Sequence, residues 1–209
     1  MNYCDRSNTP VPKAHPGAFR FFGHQRPWAQ LKTFIEKILR KILRFTIRLA
    51  PFMPLMKFFC VASKVQGAKG MGKAVFIAGT DTAVGKTMVT GLLARYCQEK
   101  GLATITQKWV ESGASFQTSD VHTHWSMMGK TRFDFKDLEE DILPFSFSLP
   151  ASPHLAARHA GKTIRIQAIR SAYKKLTARH ELCLIEGAGG LLVPLSTKTL
   201  LIDLIAELD

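Results

Sequence analysis

Lys86 and Thr87 follow a glycine directly in Gly79-Thr-Asp-Thr-Ala-Val-Gly-Lys-Thr87. A lysine and a hydroxyl at that spacing, opening a helix after a tight turn, suit a nucleoside triphosphate. The ammonium reaches the β- and γ-phosphates, and the threonine oxygen ligates Mg²⁺. The backbone N–H groups of Ala83, Val84, Gly85, Lys86, Thr87 and Met88 face the same anion, helped by the helix dipole. The strict pattern G-x-x-x-x-G-K-[ST] is missed by one place, because Thr80 occupies its first glycine position. The loop is a variant whose context is right: an apolar run, Ala74–Ala78, precedes it and a helix-like stretch from Met88 to Lys100 follows.

Two carboxylates are candidates to share the metal with Thr87. Asp120 follows Ser119, a residue suited to cap a helix. Glu186 ends Leu182-Cys-Leu-Ile185, a short apolar run of the kind buried on both faces of a sheet. Mg²⁺ prefers hard oxygens and keeps several waters, so one hydroxyl and one or two carboxylates beside the phosphates suffice. Behind Glu186, Gly187, Ala188, Gly189 and Gly190 are expected to form a flexible loop that lets backbone approach the nucleotide. Lys108 ends another strand-like run, Leu102–Gln107, which places it at the sheet edge where ligands bind in open parallel sheets. Trp109 to Gly113 are predicted to be a loop. His122 and His124, close to Asp120, are expected to face solvent, and His154 to cap or pack a helix entered through Pro150-Ala-Ser-Pro153.

Strands alternating with helix-like stretches, including one from Ile164 to Ala178 and another from Leu200 to Leu208, predict an α/β fold. The predicted class is a P-loop NTPase-type parallel sheet flanked by helices. The chain has 209 residues and a net charge of +13, which on its face suggests a nucleic-acid partner. The charge is unevenly placed. Residues 1–70 hold 13 Lys/Arg against 2 acids, and residues 71–209 hold 16 against 14. The second part is nearly neutral, so no nucleic-acid partner is implied for it. Domains are therefore expected at 1–70, a basic extension, and at 71–209. Within the extension the prolines and glycines up to Pro27 exclude long regular elements, and Leu31, Phe34, Ile35, Ile38, Leu39 and Ile42 then recur at helical spacing among basic residues. This predicts an amphipathic helix over about 28–50, suited to an anionic membrane surface or to organelle targeting, or else merely upstream of a domain starting at Met71. The run from Leu49 to Ala62 is too short and too interrupted to span a membrane. Four scattered cysteines, with no C-x-x-C pair, favour a reducing, cytoplasmic setting, and Cys97 and Cys183 read as core residues.

Taken in order, the phosphate loop, Lys108-Trp-Val-Glu-Ser-Gly113, Ser119-Asp120, Pro150-Ala-Ser-Pro-His154 and Glu186-Gly-Ala-Gly-Gly190 resemble the motif series of the dethiobiotin synthetase family. The resemblance covers residues 71–209. It implies that ATP and Mg²⁺ drive ring closure of 7,8-diaminononanoate with CO₂ or bicarbonate, through a carbamate and its phosphoryl anhydride. It further implies that Lys108 and Lys86 are catalytic, that Ser112 and Lys108 hold the carbamate, and that the assembly is a homodimer. Family members commonly have proline where this chain has Trp109. They also continue past the point matching Asp209, which implies a C-terminally incomplete sheet with an unpaired apolar edge and a fragment without base recognition. The phosphate loop alone is shared with cobyrinic acid diamide synthases and with the P-loop domain of some phosphate acetyltransferases. A switch or partition-type ATPase, anchored by the basic helix, is the reading from another class, and an inactive truncated product is a third.

Overall fold

The computed structural model describes residues 62–65, 72–113 and 119–208, the first group by its backbone. The predicted amphipathic helix over about 28–50 lies outside them. Strand β1 (Ala62–Val65) is followed by β2 (Lys73–Gly79), α1 (Lys86–Glu99), β3 (Thr104–Lys108), β4 (Val110–Ser112) and α2 (Asp120–Met127). A 3₁₀ segment, Arg132–Leu138, then leads through α3 (Glu139–Ile142) to β5 (Phe145–Phe147), α4 (Pro153–His159), α5 (Ile166–Arg179), β6 (Leu182–Gly190) and α6 (Leu201–Leu208).

The main sheet has the order β1-β2-β6-β3. β2, β6 and β3 run parallel, as the α/β reading requires, and β1 joins antiparallel. Burial explains why the sequence makes these strands. Leu182, Cys183, Leu184 and Ile185 are wholly inaccessible, as an apolar run covered on both sheet faces must be. Helix α1 packs across β2, β6 and β3 and against α2, while α5 packs on β6 and α3. Cys97 and Cys183 are buried free thiols in this core, as expected. Among the described residues no helix is long and apolar enough to cross a membrane.

β1 pairs along β2, and β3 ends the other side of the sheet with all five of its residues buried. Two local expectations are corrected. The stretch read as a loop after Lys108 contains β4, which pairs in parallel with β5 to form a separate two-stranded sheet. The glycine-rich segment after Glu186 is not a flexible loop but the second half of β6, continuing as far as a Gly79↔Gly190 pairing beyond a register shift. A side chain at Gly187 would meet the Phe76 ring at 3.0 Å, so glycine here serves close packing of two strands.

Helix ends set the directions of the strands that follow. At the end of α1 the Gly101 N–H donates to Gln98 O and the Leu102 N–H to Cys97 O, with Gly101 at φ 81°. This left-handed stop turns the chain straight into β3. Helix α2 ends in the same way at Gly129.

Candidate active site

The phosphate loop lies between β2 and α1 and is shaped by two left-handed residues, Ala83 at φ 54° and Gly85 at φ 92°. No side chain caps α1 and no acidic residue lies in its first turn, which leaves the N–H groups there without a side-chain cap. The Lys86 ammonium folds back over the loop and donates to the Asp81 carbonyl. Burial lowers its pKa, assisted by the charge of Lys108 and opposed by Glu186 and Asp120.

Strand register places the next two groups. Lys108 on β3 is paired directly with Glu186 on β6, and residues opposite each other in a parallel pair project to the same face. Lys108 Nζ donates to Glu186 Oε1 at 2.9 Å and also to Asp120 Oδ2. Both strand residues are hidden from solvent, Lys108 at 5% and Glu186 at 1% exposure. Burial alone would make the lysine easier to deprotonate, but the two carboxylates outweigh it and its pKa is raised. Burial likewise pushes Glu186 up, yet the His124 hydrogen bond and the Lys108 charge prevail and hold it at about 2.

Asp120 arrives from the other side, at the start of α2. Ser119 caps that helix as expected, accepting from the Val121 N–H at 3.2 Å. What holds the cap leaves no local signal in the sequence. Glu111, on β4 and 2% exposed, accepts the Ser119 hydroxyl at 2.8 Å and the Asp120 N–H at 2.6 Å. The helix therefore sits with its first turn pinned to β4 and its body against α1. There the close approach is possible because Gly91 has no side chain; a Cβ would lie 2.5 Å from Met127 Sδ.

The Thr87 hydroxyl faces Asp120 Oδ1 at 2.8 Å and Glu186 Oε1 at 3.0 Å. The three predicted metal ligands therefore meet at one point. Their donor chemistry, one hydroxyl and two carboxylates, fits Mg²⁺. Among the described residues no group of three or more His, Cys, Asp or Glu side chains is placed to hold a metal ion.

Other predicted residues line the same cleft, whose volume is about 1150 Å³. Ser112, Ala83, Gly85, Ala188 and Gly189 border it together with Thr87, Lys108, Asp120 and Glu186. Val84 and Gly187 stand beside these residues within the loop and β6, and Met88 follows Thr87 in the first turn of α1. The Ser112 hydroxyl already donates to the Ala151 carbonyl at 2.7 Å, a tie to the Pro150–Pro153 turn that the sequence did not reveal. His154 lies in the first turn of α4 with Nδ1 3.2 Å from Ser152 Oγ, in keeping with a packing role. Trp109 is buried against Phe76, with ring centres 5.1 Å apart, and its N–H donates to Gln107. His124 contradicts its expectation: it is wholly buried, with Nε2 2.7 Å from Glu186 Oε2. Period was the missed signal, since positions 120 and 124 share one helix face.

The AAA domain family matches residues 73–209. The ATP-dependent dethiobiotin synthetase BioD of Chlorobaculum tepidum is 42% identical over 136 residues, covering 65% of this chain and 56% of that protein. BioD 2 of Haemophilus influenzae is 37% identical over 135 residues, 65% of this chain and 70% of that protein. BioD of Methanococcus vannielii is 35% identical over 135 residues and is covered to 60%. This chain thus spans a little over half of the first of these relatives and more of the others. The matched domain, residues 73–209, takes in the phosphate loop, the Lys108 strand and the Glu186 strand, and with these relatives the chain belongs to the family of the ATP-dependent dethiobiotin synthetases.

Proposed function

We propose that this site closes the ureido ring of dethiobiotin on 7,8-diaminononanoate, using ATP and CO₂. The observation that carries the reading is the position of Lys108: a buried cation at the carboxyl end of β3, bonded to both carboxylates that meet Thr87 beside the phosphate loop. Thr87, Asp120 and Glu186 would hold Mg²⁺, which when bound offsets negative charge on the phosphates.

One substrate amine adds to CO₂ and loses a proton, giving a carbamate. A carbamate oxygen then takes the γ-phosphoryl group of ATP, with ADP leaving. The second amine attacks the carbonyl carbon of the mixed anhydride, phosphate departs, and the ring closes. Phosphoryl transfer needs placement and charge more than covalent help from the protein. Lys86 supplies one charge from the loop and Lys108 a second from the opposite strand, so the oxygens that exchange the phosphoryl group lie between two cations. Lys108 remains protonated in this role, in keeping with its raised pKa. Ser112 keeps its proton on Ala151 and offers a lone pair to the carbamate N–H.

The test is ATP- and bicarbonate-dependent conversion of 7,8-diaminononanoate to dethiobiotin by this chain, with Lys108→Gln as the paired variant. Product from the parent and little from the variant supports the reading; equal product from both rejects the role of Lys108.

A further inference from the structure

Glu186 has two carboxylate oxygens, and the structure divides their work. Oε1 faces Thr87 and Lys108. Oε2 faces away from that cluster and has His124 Nε2 at 2.7 Å. We propose that His124 is the positioning residue of the metal site: by binding Oε2 it fixes the torsions of Glu186 so that Oε1 is held where Thr87 and Asp120 converge. The inference rests on the nucleotide-site reading above and adds to it the group that sets the ligand's orientation.

Three observations carry it. First, strand register fixes the Cα of Glu186 but not its side-chain torsions, and on Oε2 the bond from His124 is the side-chain hydrogen bond in place. An ionised carboxylate only accepts, so the ring nitrogen in contact must carry the proton. Second, His124 is wholly buried, and its Nδ1 has no hydrogen-bond partner among the described residues. Burying an unpaired polar nitrogen is unfavourable, and leucine would fill similar space without that cost. Packing therefore does not account for histidine here, whereas the bond to Glu186 does. Third, Asp120 and His124 are four residues apart on α2 and so lie on one face. A single helix delivers one carboxylate ligand and the group that aims the other, which ties the spacing of the two carboxylates to one rigid element.

The experiment compares the full chain with His124→Gln, His124→Asn and His124→Leu. Glutamine can place an amide N–H near the position of Nε2; asparagine is too short to reach Oε2, and leucine has no donor. Mn²⁺ serves as the probe, its affinity in the presence of ATP being read by electron paramagnetic resonance, and ATP affinity without metal by equilibrium dialysis. Groups that orient a metal ligand typically contribute 10- to 100-fold in affinity. His124→Asn and His124→Leu should weaken Mn²⁺ binding by that factor, His124→Gln should remain within a few-fold of the parent, and metal-free ATP affinity should be equal in all. The contrast of Gln with Asn decides the matter even where Leu prevents folding. Parental Mn²⁺ affinity in the Asn variant, or equal losses in Gln and Asn, overturns the proposal. A parental chain that binds ATP without recruiting Mn²⁺ would instead overturn the metal-site reading on which it stands.

Discussion

Glu186 on the main sheet and Glu111 on the small β4/β5 sheet are both almost fully buried carboxylates, at 1% and 2% exposure, yet their surroundings push them in opposite directions. Burial raises both. On the main sheet this is overcome, because a histidine N–H and a lysine ammonium meet the carboxylate directly. Glu111 receives only neutral donors, the Asp120 N–H and the Ser119 hydroxyl, with Lys108 at longer range and the Asp120 charge opposing, so burial prevails and its pKa stays raised. Two buried acids on separate sheets thus do different work. The first is held charged, as a ligand or charge partner must be. The second organises a helix start, a task that needs lone pairs more than charge.

If the main-sheet region is the charged half, removing its cation should have the largest effect. Lys108→Gln keeps most of the length and loses the charge, so dethiobiotin formation should fall on the order of 100- to 1000-fold while ATP still binds. Lys86→Ala should instead abolish ATP binding itself, because it removes the cation of the cradle. Equilibrium dialysis separates the two. A Lys108 variant that loses ATP binding as completely as the Lys86 variant would erase the distinction between phosphate cradle and sheet edge.

Acid should sharpen the comparison next. Glu186 has its folded pKa at about 2, below its unfolded value near 4.5, so it binds fewer protons folded than unfolded in that window. Its stabilisation is full above the unfolded value and is lost as pH falls through 4.5 toward 2. Thermal unfolding of the parent should therefore lose stability over that range, and Glu186→Gln should flatten the loss. At neutral pH the same variant leaves Lys108 buried with one carboxylate, so the cost should stay below the about 3–5 kcal/mol of a buried charge left unpaired. Asp120→Asn, at a position whose side chain is one-third exposed, should cost less, while raising the Mg²⁺ concentration needed for ATP turnover.

The two regions also differ in how far they can be seen in the sequence. The strand-held residues were legible. Val75-Phe-Ile-Ala78 and Leu182-Cys-Leu-Ile185 are continuous apolar runs, so the groups at their carboxyl ends, the phosphate loop and Glu186, could be placed at one sheet edge before any contact was known. Lys108 followed from the same logic. The arm that carries Glu111 and Ser112 has the sequence of a loop, because three-residue strands such as Val110–Ser112 are too short to show an alternating pattern. Its partner, Phe145–Phe147, lies more than thirty residues away, and pairing over that distance leaves no local trace. His124 was missed for a different reason. A histidine in a polar helix start usually faces water, and only the buried acid of a strand 62 positions later makes this one face inward. The extension of β6 through Gly190 was hidden by its glycines, which signal loop by composition but here admit a close strand neighbour.

The smallest expected effect comes from the helix-start acid and tests whether its charge matters at all. In Glu111→Gln the amide oxygen can still accept the Asp120 N–H, and the amide nitrogen can donate to the Ser119 oxygen, so the cap can survive by reversing one hydrogen bond. The raised pKa of Glu111 means that its ionised form is disfavoured by folding, and its folded form binds more protons than its unfolded form just above the ordinary carboxylate value. Stability from this group is therefore present below the unfolded pKa near 4.5 and is lost as pH rises through the raised folded value, the reverse of Glu186. Replacing it with a neutral amide should change neutral-pH stability by only about 1 kcal/mol or less, in either direction, within the range of one exchanged hydrogen bond. Glu111→Ala, which removes both acceptors, should cost about 1–2 kcal/mol as a lost helix cap does and should also weaken Mg²⁺ dependence through Asp120. Thermal melts of the three proteins at pH 7 measure this. A Gln variant as unstable as the Ala variant would mean that Glu111 is needed as an anion, and the contrast between the two buried acids would fail.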